Sequence, residues 1–282
     1  MAEGTKNSIP NVVTIAGVDP SGGAGVLADV KAMSACGAYA CGVIAALTAQ
    51  NTQTVTGVMP VPATFLKEQI DTLFDDVRID AVKIGMLGQV EQIETVADAL
   101  LRRKPRFVVL DPVMVAKGGN RLLAADAVDA LKERLLPLAT IITPNLPEAM
   151  CLLGRTKEVT KDEFPEVARE LWELLGRRDA WVYLKGGHLK GAAAYDLLFN
   201  NVVSVPFSAP YVHTKNTHGT GCTLSSAIAA LLPQSADVPE ACRRAKDYLT
   251  AGIRHADELD VGHGHGPTNH FWHFWNGECK KM

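Results

Sequence analysis

The chain lacks any excess of positive charge: 28 Lys and Arg stand against 31 Asp and Glu in 282 residues, a net charge of -3. Without a basic stripe or a block of like charges, it has no electrostatic footprint of a nucleic-acid binder or of a protein held on an anionic membrane. A small-molecule partner fits better. Cysteine is also sparse, six residues with no CxxC pair, which excludes a disulfide framework and makes a reducing, cytoplasmic setting the expectation. The N-terminal MAEGTKNSIPN has neither a basic n-region nor an apolar h-region, so no secretory signal is read there. Ser/Gly linkers, internal repeats and low-complexity stretches are absent. The stretch between Lys31 and Lys67 is free of charge and contains an apolar-leaning run, Ala32 to Ala49. It is rich in Ala, Gly, Cys and Ser and leads into polar TAQNTQT, so it reads as a buried helix and strand rather than a membrane span.

What is present is a foldable α/β pattern. Hydrophobic residues make up 47% and charged residues 21%, and the length allows one large domain or two small ones. Strands are read at VVTIA (12–16), CGVIAAL (41–47), AVKIG (81–85), FVVLD (107–111), TIIT (140–143) and WVYLK (181–185). Helices are read at 24–36, 62–77, 90–103, 222–232 and 239–257, and TVTGVMPV (54–61) as an extended excursion. Alternating strands and helices imply a mostly parallel sheet covered on both faces. AYDLLF (194–199) and VVSVPF (202–207) flank Asn200-Asn201, which predicts an antiparallel hairpin at an edge of the sheet. One domain over 12–275 is expected, with a flexible N-terminal segment over 1–11 and a tail over 276–282.

Ligands in such sheets bind outside the carboxyl ends of the strands, so the residues just after each strand matter most. The first strand runs into Gly17-Val18-Asp19-Pro20-Ser21-Gly22-Gly23-Ala24-Gly25, the second into Thr48-Ala49-Gln50-Asn51 and the third into Gly85-Met86. FVVLD ends on Asp111, TIIT leads to Asn145 and Glu148, and WVYLK ends on Lys185. The Gly17–Gly25 loop lacks the Lys and Ser/Thr of a P-loop and the GxGxxG spacing of a dinucleotide-binding turn, so an NAD dehydrogenase is a poor reading. Asn216-Thr217-His218-Gly219-Thr220-Gly221-Cys222 opens a helical pattern, and glycines at a helix start expose free N–H groups and the positive end of the helix dipole. That is an anion site. The same field is expected to lower the Cys222 thiol from its free value of about 8.5 toward neutrality where the group is accessible.

Taken together, AGVDPSGGAG (16–25), ALTAQNT (46–52), KIGML (83–87), VVLDPVM (108–114), TPNLPEA (143–149), LKGGH (184–188), TKNTHGTGC (214–222) and VGHGHGP (261–267) resemble the hydroxymethylpyrimidine/phosphomethylpyrimidine kinases of thiamine biosynthesis. These are members of the ribokinase-like superfamily, and the resemblance runs from about Val12 to about His270. It implies a three-layer fold with a sheet of eight mostly parallel strands, ATP as phosphoryl donor, Mg²⁺ and a homodimer, with a K⁺ requirement left open. It further implies two successive phosphorylations of 4-amino-5-hydroxymethyl-2-methylpyrimidine. By the same resemblance Gly219, Thr220, Gly221 and the backbone of Cys222 form the anion hole, and Cys222 is the catalytic base. Lys185, Asn145, Thr217, Gly219 and Gly221 contact ATP, and Asp111 and Glu148 lie at the metal. Gln50 reads the aminopyrimidine edge, with Met86 and Val113 covering the ring and Gly17, Asp19 and Ala24 on the same side.

Two other readings stay open on the sequence: a pyridoxal or pyridoxine kinase of the same fold, and a non-catalytic pyrimidine-binding protein. His263-Gly264-His265-Gly266 reads as a packing loop near the nucleotide end in preference to a metal pair, and FWHFW (271–275) as a docked terminal helix.

Overall fold

The structure, a computed structural model, describes residues 9–114, 125–156, 159–187 and 193–275. The segments expected at 1–8 and 276–282, His188 of the LKGGH motif and Cys279 lie outside the described residues. Strands β1 (Asn11–Val18), β2 (Tyr39–Gln50), β3 (Val55–Pro60), β4 (Ala81–Ile84), β5 (Phe107–Leu110), β6 (Ile141–Ile142), β7 (Trp181–Lys185), β8 (Ala193–Phe199) and β9 (Ser204–Pro210) build one sheet in the order β3-β2-β1-β4-β5-β6-β7-β8-β9. From β2 to β7 every neighbouring pair is parallel. The β8–β9 pair is the expected antiparallel hairpin. The expected count of eight is corrected to nine among the described residues, because the excursion at 54–61 contains β3, paired antiparallel with β2. Its residues are almost all exposed and it pairs on one side only, so it carries no alternation of apolar and polar residues to announce it.

The strands between β1 and β7 read as continuous apolar runs because both of their faces are covered. Val13, Ile15, Val82, Ile84, Val108 and Leu110 point into one core, beneath α2 (Ala63–Asp76), α3 (Val90–Arg103), α4 (Ala125–Ala130), α5 (Leu146–Leu153) and α6 (Phe164–Leu174). Their alternates Val12, Ala81 and Val109 point into a second core, beneath α1 (Gly25–Ala35), α7 (Thr220–Leu231) and α8 (Val238–Arg254). Period-two alternation therefore also sends Thr14 and Lys83 toward α1 and α7. α3 buries Ile93, Val96, Ala97 and Leu100, an i, i+3, i+4, i+7 stripe, and places Arg102 and Arg103 at its negative end. α5 opens on a capping box: the Asn145 side chain accepts from Glu148 N–H, and the Glu148 carboxylate accepts from Asn145 N–H.

The strand order places the site. β1 lies between β2 and β4, so the chain turns outward in opposite directions from it, and the loops after β1 and β4 part to leave a crevice at that switch point.

Candidate active site

A cavity of about 1060 Å³ opens over the carboxyl ends of the strands, and the residues to which the resemblance gives a site role line it. The Gly17–Gly25 loop, Gln50, Met86 and Val113 contribute one end, and Asp111, Asn145, Glu148 and Lys185 another. The start of α7 lies between them. Gly219 caps this helix at φ +72°, and a Cβ on it would come within 1.7 Å of the Gly23 carbonyl oxygen. The first-turn N–H groups of Thr220, Gly221 and Cys222 precede the bond from Thr223 N–H to Gly219 C=O and are free of intrahelical partners. Three such donors at the positive end of a helix are able to bind an anion.

Cys222 is half-buried at this terminus, and burial pushes its thiol up to about 11, against the pull of the Lys83 ammonium. The expected drop toward neutrality is thus corrected. The helix terminus and the Gly25 N–H that points at the sulfur favour the thiolate, but the loss of water outweighs them.

Lys185, at the end of β7, lies between two carboxylates: its Nζ is 3.0 Å from Asp111 Oδ1 and 3.8 Å from Glu148 Oε2. Burial alone would raise Asp111, yet Lys185 and Lys83 outweigh it and hold the carboxyl below its ordinary value. Thr143 Oγ1 donates to Asp111 Oδ1 at 3.0 Å, and Ser225 Oγ to Asp111 Oδ2 at 3.3 Å. For Glu148, burial with the Asp111 charge beside it raises the carboxyl to about 7 despite Lys185. Two carboxylates that open on the cavity suit Mg²⁺, which takes one or two protein oxygens and completes its shell with water and phosphate. Among the described residues no group of three His, Cys, Asp or Glu is placed to hold a metal ion.

At the other end, Asp19 is 3% exposed and accepts from Ser21 N–H at 2.9 Å and Ala24 N–H at 3.1 Å. Burial would raise it, but hydrogen bonds from His218 and Ser21 outweigh that and keep the carboxyl below its ordinary value. His218 Nε2 is 2.7 Å from Asp19 Oδ2 and 3.4 Å from the Gln50 amide nitrogen. An ionised Asp19 has no proton to give, so Nε2 carries the hydrogen and donates it to Asp19. Nε2 of His218 then does not accept from the Gln50 amide nitrogen, while Gln50 Oε1 accepts from Thr48 Oγ1 at 3.1 Å.

His218 was quoted in the sequence only as part of its motif, yet here it ties the anion-hole segment to the first loop. Lys83 likewise opened the KIGML motif without a role, although a lysine inside a strand buried on both faces is itself a signal. A third group had no visible pattern: Asp196 accepts from Tyr183, from Lys246 and from Gly186 N–H, which fixes the chain just after Lys185. The loop of VGHGHGP packs on other backbone, His265 N–H donating to Thr52 C=O and Gly266 N–H to Asn216 Oδ1. FWHFW forms one turn, α9 (Trp272–Trp275), with Trp272 stacked on His255 while Phe274 and Trp275 stay exposed.

A positive field at one end of a cleft and a hydrogen-bonding edge at the other are what phosphoryl transfer to a bound alcohol requires, so fold and site define a small-molecule kinase on a ribokinase-like fold. Residues 19–269 match the family described as phosphomethylpyrimidine kinase, and the chain belongs to that family. It is 48% identical over 265 residues to the hydroxymethylpyrimidine/phosphomethylpyrimidine kinase of Escherichia coli, covering 94% of this chain and 98% of that one. Among solved structures, a phosphomethylpyrimidine kinase from Clostridium difficile is 39% identical with a TM-score of 0.75, covering 87% of this chain and 100% of that one. The pyridoxal kinase of Bacillus subtilis, solved with ADP, is 36% identical with a TM-score of 0.85, covering 94% and 98%.

Because Gly219 has both a left-handed backbone and no room for a side chain, Gly219→Ala is expected to lower kcat/KM for phosphoryl transfer at least 100-fold, about 2.7 kcal/mol of transition-state binding. The fold should survive, as read by circular dichroism. Unchanged kinetics would show that the α7 terminus does not bind the reacting phosphoryl group.

Proposed function

We propose that this kinase transfers the γ-phosphoryl group of ATP to the hydroxymethyl group of 4-amino-5-hydroxymethyl-2-methylpyrimidine, and then phosphorylates the product to the diphosphate, as in thiamine biosynthesis. The observation that carries this reading is the shared cavity of Gln50, Cys222 and the glycine-built start of α7. The Gln50 amide offers a donor beside an acceptor, which complements an aminopyrimidine's exocyclic amine and ring nitrogen. Met86 and Val113 supply apolar cover for the ring. The N–H groups of Thr220, Gly221 and Cys222 meet the charge that develops on the migrating phosphoryl group. Lys185 neutralises triphosphate oxygens, with Asn145 and Thr217 alongside. Asp111 and Glu148 would hold Mg²⁺, which supplies further neutralisation of phosphate charge when bound. Cys222 takes the hydroxyl proton. Because burial raises its thiol to about 11, that role requires Cys222 first to release its own proton to solvent, so that the thiolate receives the hydroxyl proton.

A second reading has a specific support: solved pyridoxal kinases share the fold at a TM-score of 0.85, and vitamin B6 also carries a hydroxymethyl group on a nitrogen heterocycle. Comparison of kcat/KM on the two alcohols separates them, with the aminopyrimidine favoured if Gln50 reads its edge.

We also propose a cytoplasmic homodimer. No described helix is long and apolar enough to cross a membrane. Leu47 and Met59 face each other across β2 and β3 at 42% and 60% exposure, apolar surface on an edge that pairs on one side only.

Mass spectrometry of a reaction containing ATP, Mg²⁺ and the hydroxymethylpyrimidine is expected to show both the mono- and the diphosphate; absence of both would overturn the reading. The first transfer attacks through a neutral alcohol and the second through an anion that needs little help from a base. Cys222→Ala is therefore expected to slow monophosphate formation at least ten times more than diphosphate formation, and equal losses in separate assays of the two steps would remove the base role. In light scattering the protein should run at twice the chain mass and Leu47→Lys/Met59→Lys at the chain mass; a monomeric wild type refutes the dimer.

A further inference from the structure

Lys185 has a third carboxylate beside it. In the antiparallel β7–β8 pair it stands directly opposite Asp196, and opposed side chains project from the same face of a sheet with their Cβ atoms about 5 Å apart. A lysine within that reach of an uncompensated carboxylate would close an ion pair on it. Lys185 does not: its ammonium turns to Asp111 at 3.0 Å and to Glu148 at 3.8 Å. Asp196 is already engaged. Its Oδ1 accepts from Gly186 N–H at 2.9 Å, and its Oδ2 accepts from the Tyr183 hydroxyl at 3.0 Å and from Lys246 Nζ at 2.6 Å.

Lys246 is out of place as a packing residue. It lies on the buried face of α8 among Ala241, Cys242, Ala245 and Leu249. An apolar side chain there would dock the helix on the sheet without desolvating an ammonium. Gly186 and Tyr183 already give one donor to each oxygen of Asp196, so hydrogen bonding does not require Lys246 either. What it adds is charge. Asp196 and Lys246 both border the cavity although only 4% and 8% exposed, so a carboxylate left there without its counter-charge would act on Lys185 and on any anion bound beside it.

We propose that Lys246 is a positioning residue for nucleotide binding: by pairing with Asp196 on the α8 side, it leaves the Lys185 ammonium to the phosphate end of the cavity. The proposal rests on the reading of Lys185 as a triphosphate contact. Lys246 itself needs no contact with the nucleotide. Its effect comes from cancelling one negative charge, so removing Lys246 alone weakens nucleotide binding, whereas removing both charges of the pair restores it.

Calorimetric binding of the non-hydrolysable β,γ-methylene analogue of ATP, with KM measured separately for ATP and for the pyrimidine, tests this. Lys246→Met is expected to raise the analogue's Kd and the ATP KM by about tenfold, while the pyrimidine KM changes by less than about twofold. Lys246→Met/Asp196→Asn removes both charges and keeps an acceptor for Gly186 N–H, and is expected to return both nucleotide constants to within about threefold of the wild type. A direct contact of Lys246 with the nucleotide would leave the double variant as weak as the single one. A pair that only fastens α8 would weaken pyrimidine and nucleotide alike. Either result overturns the proposal, as does unchanged nucleotide binding in Lys246→Met. If Lys246→Met does not fold, Lys246→Gln, which keeps a donor for Asp196 without the charge, is read in the same way. Lys185→Met separates the proposal from the reading beneath it. Weaker nucleotide binding there, with none in Lys246→Met, overturns the proposal alone; unchanged binding in Lys185→Met overturns the triphosphate reading and the proposal with it.

Discussion

The contact of Gly219 with the Gly23 carbonyl is the constraint on which the rest of the site depends. Two backbones meet there with no side chain between them, at a left-handed residue that only glycine adopts without strain. That approach sets the start of α7 against the loop after β1. Anion-binding N–H groups then face the crevice where the strand order reverses, and Asp19 comes within reach of His218. A side chain at either position would part the loop from the helix and pull apart the residues of β1's loop and of α7 that line one cavity.

Near-neutral overall charge is compatible with a triphosphate ligand because positive charge is placed locally. Lys185 and Lys83 are both buried and both flanked by carboxylates, so their charge is held in place instead of being dispersed in water. The first meets Asp111 and Glu148 at the phosphate end, and the second meets Asp29 beneath Cys222. α7 touches both clusters, through Ser225 at Asp111 and Ser226 at Asp29. Burial raises the Cys222 thiol to about 11 and the Lys83 charge opposes that rise.

Much of the fold was legible in local patterns. Buried parallel strands appear as short apolar runs, and α3 lies where its period predicts, at Val90–Arg103. β3 escaped because an exposed edge strand has no face to bury, and α4, α5 and α6 were not anticipated, being short or opened by proline within stretches first read only for their loops. In the site, residues at strand ends were found because an open α/β sheet converges them on one crevice whatever their partners. His218, Lys83 and Asp196 were not assigned, since each acts through a contact made far along the chain.

The amino-acid sequence by itself determined the sheet, the glycine-built helix start and the set of polar strand ends that line one cavity, because each follows from local periodicity, backbone freedom and strand polarity. Tertiary structure alone decided which charges pair and which proton sits where. Asp29 meets Lys83 across 54 positions and Asp19 meets His218 across 199. The height of the Cys222 thiol likewise follows from the water excluded around it, and both long-range pairing and desolvation exist only once the chain has closed on itself.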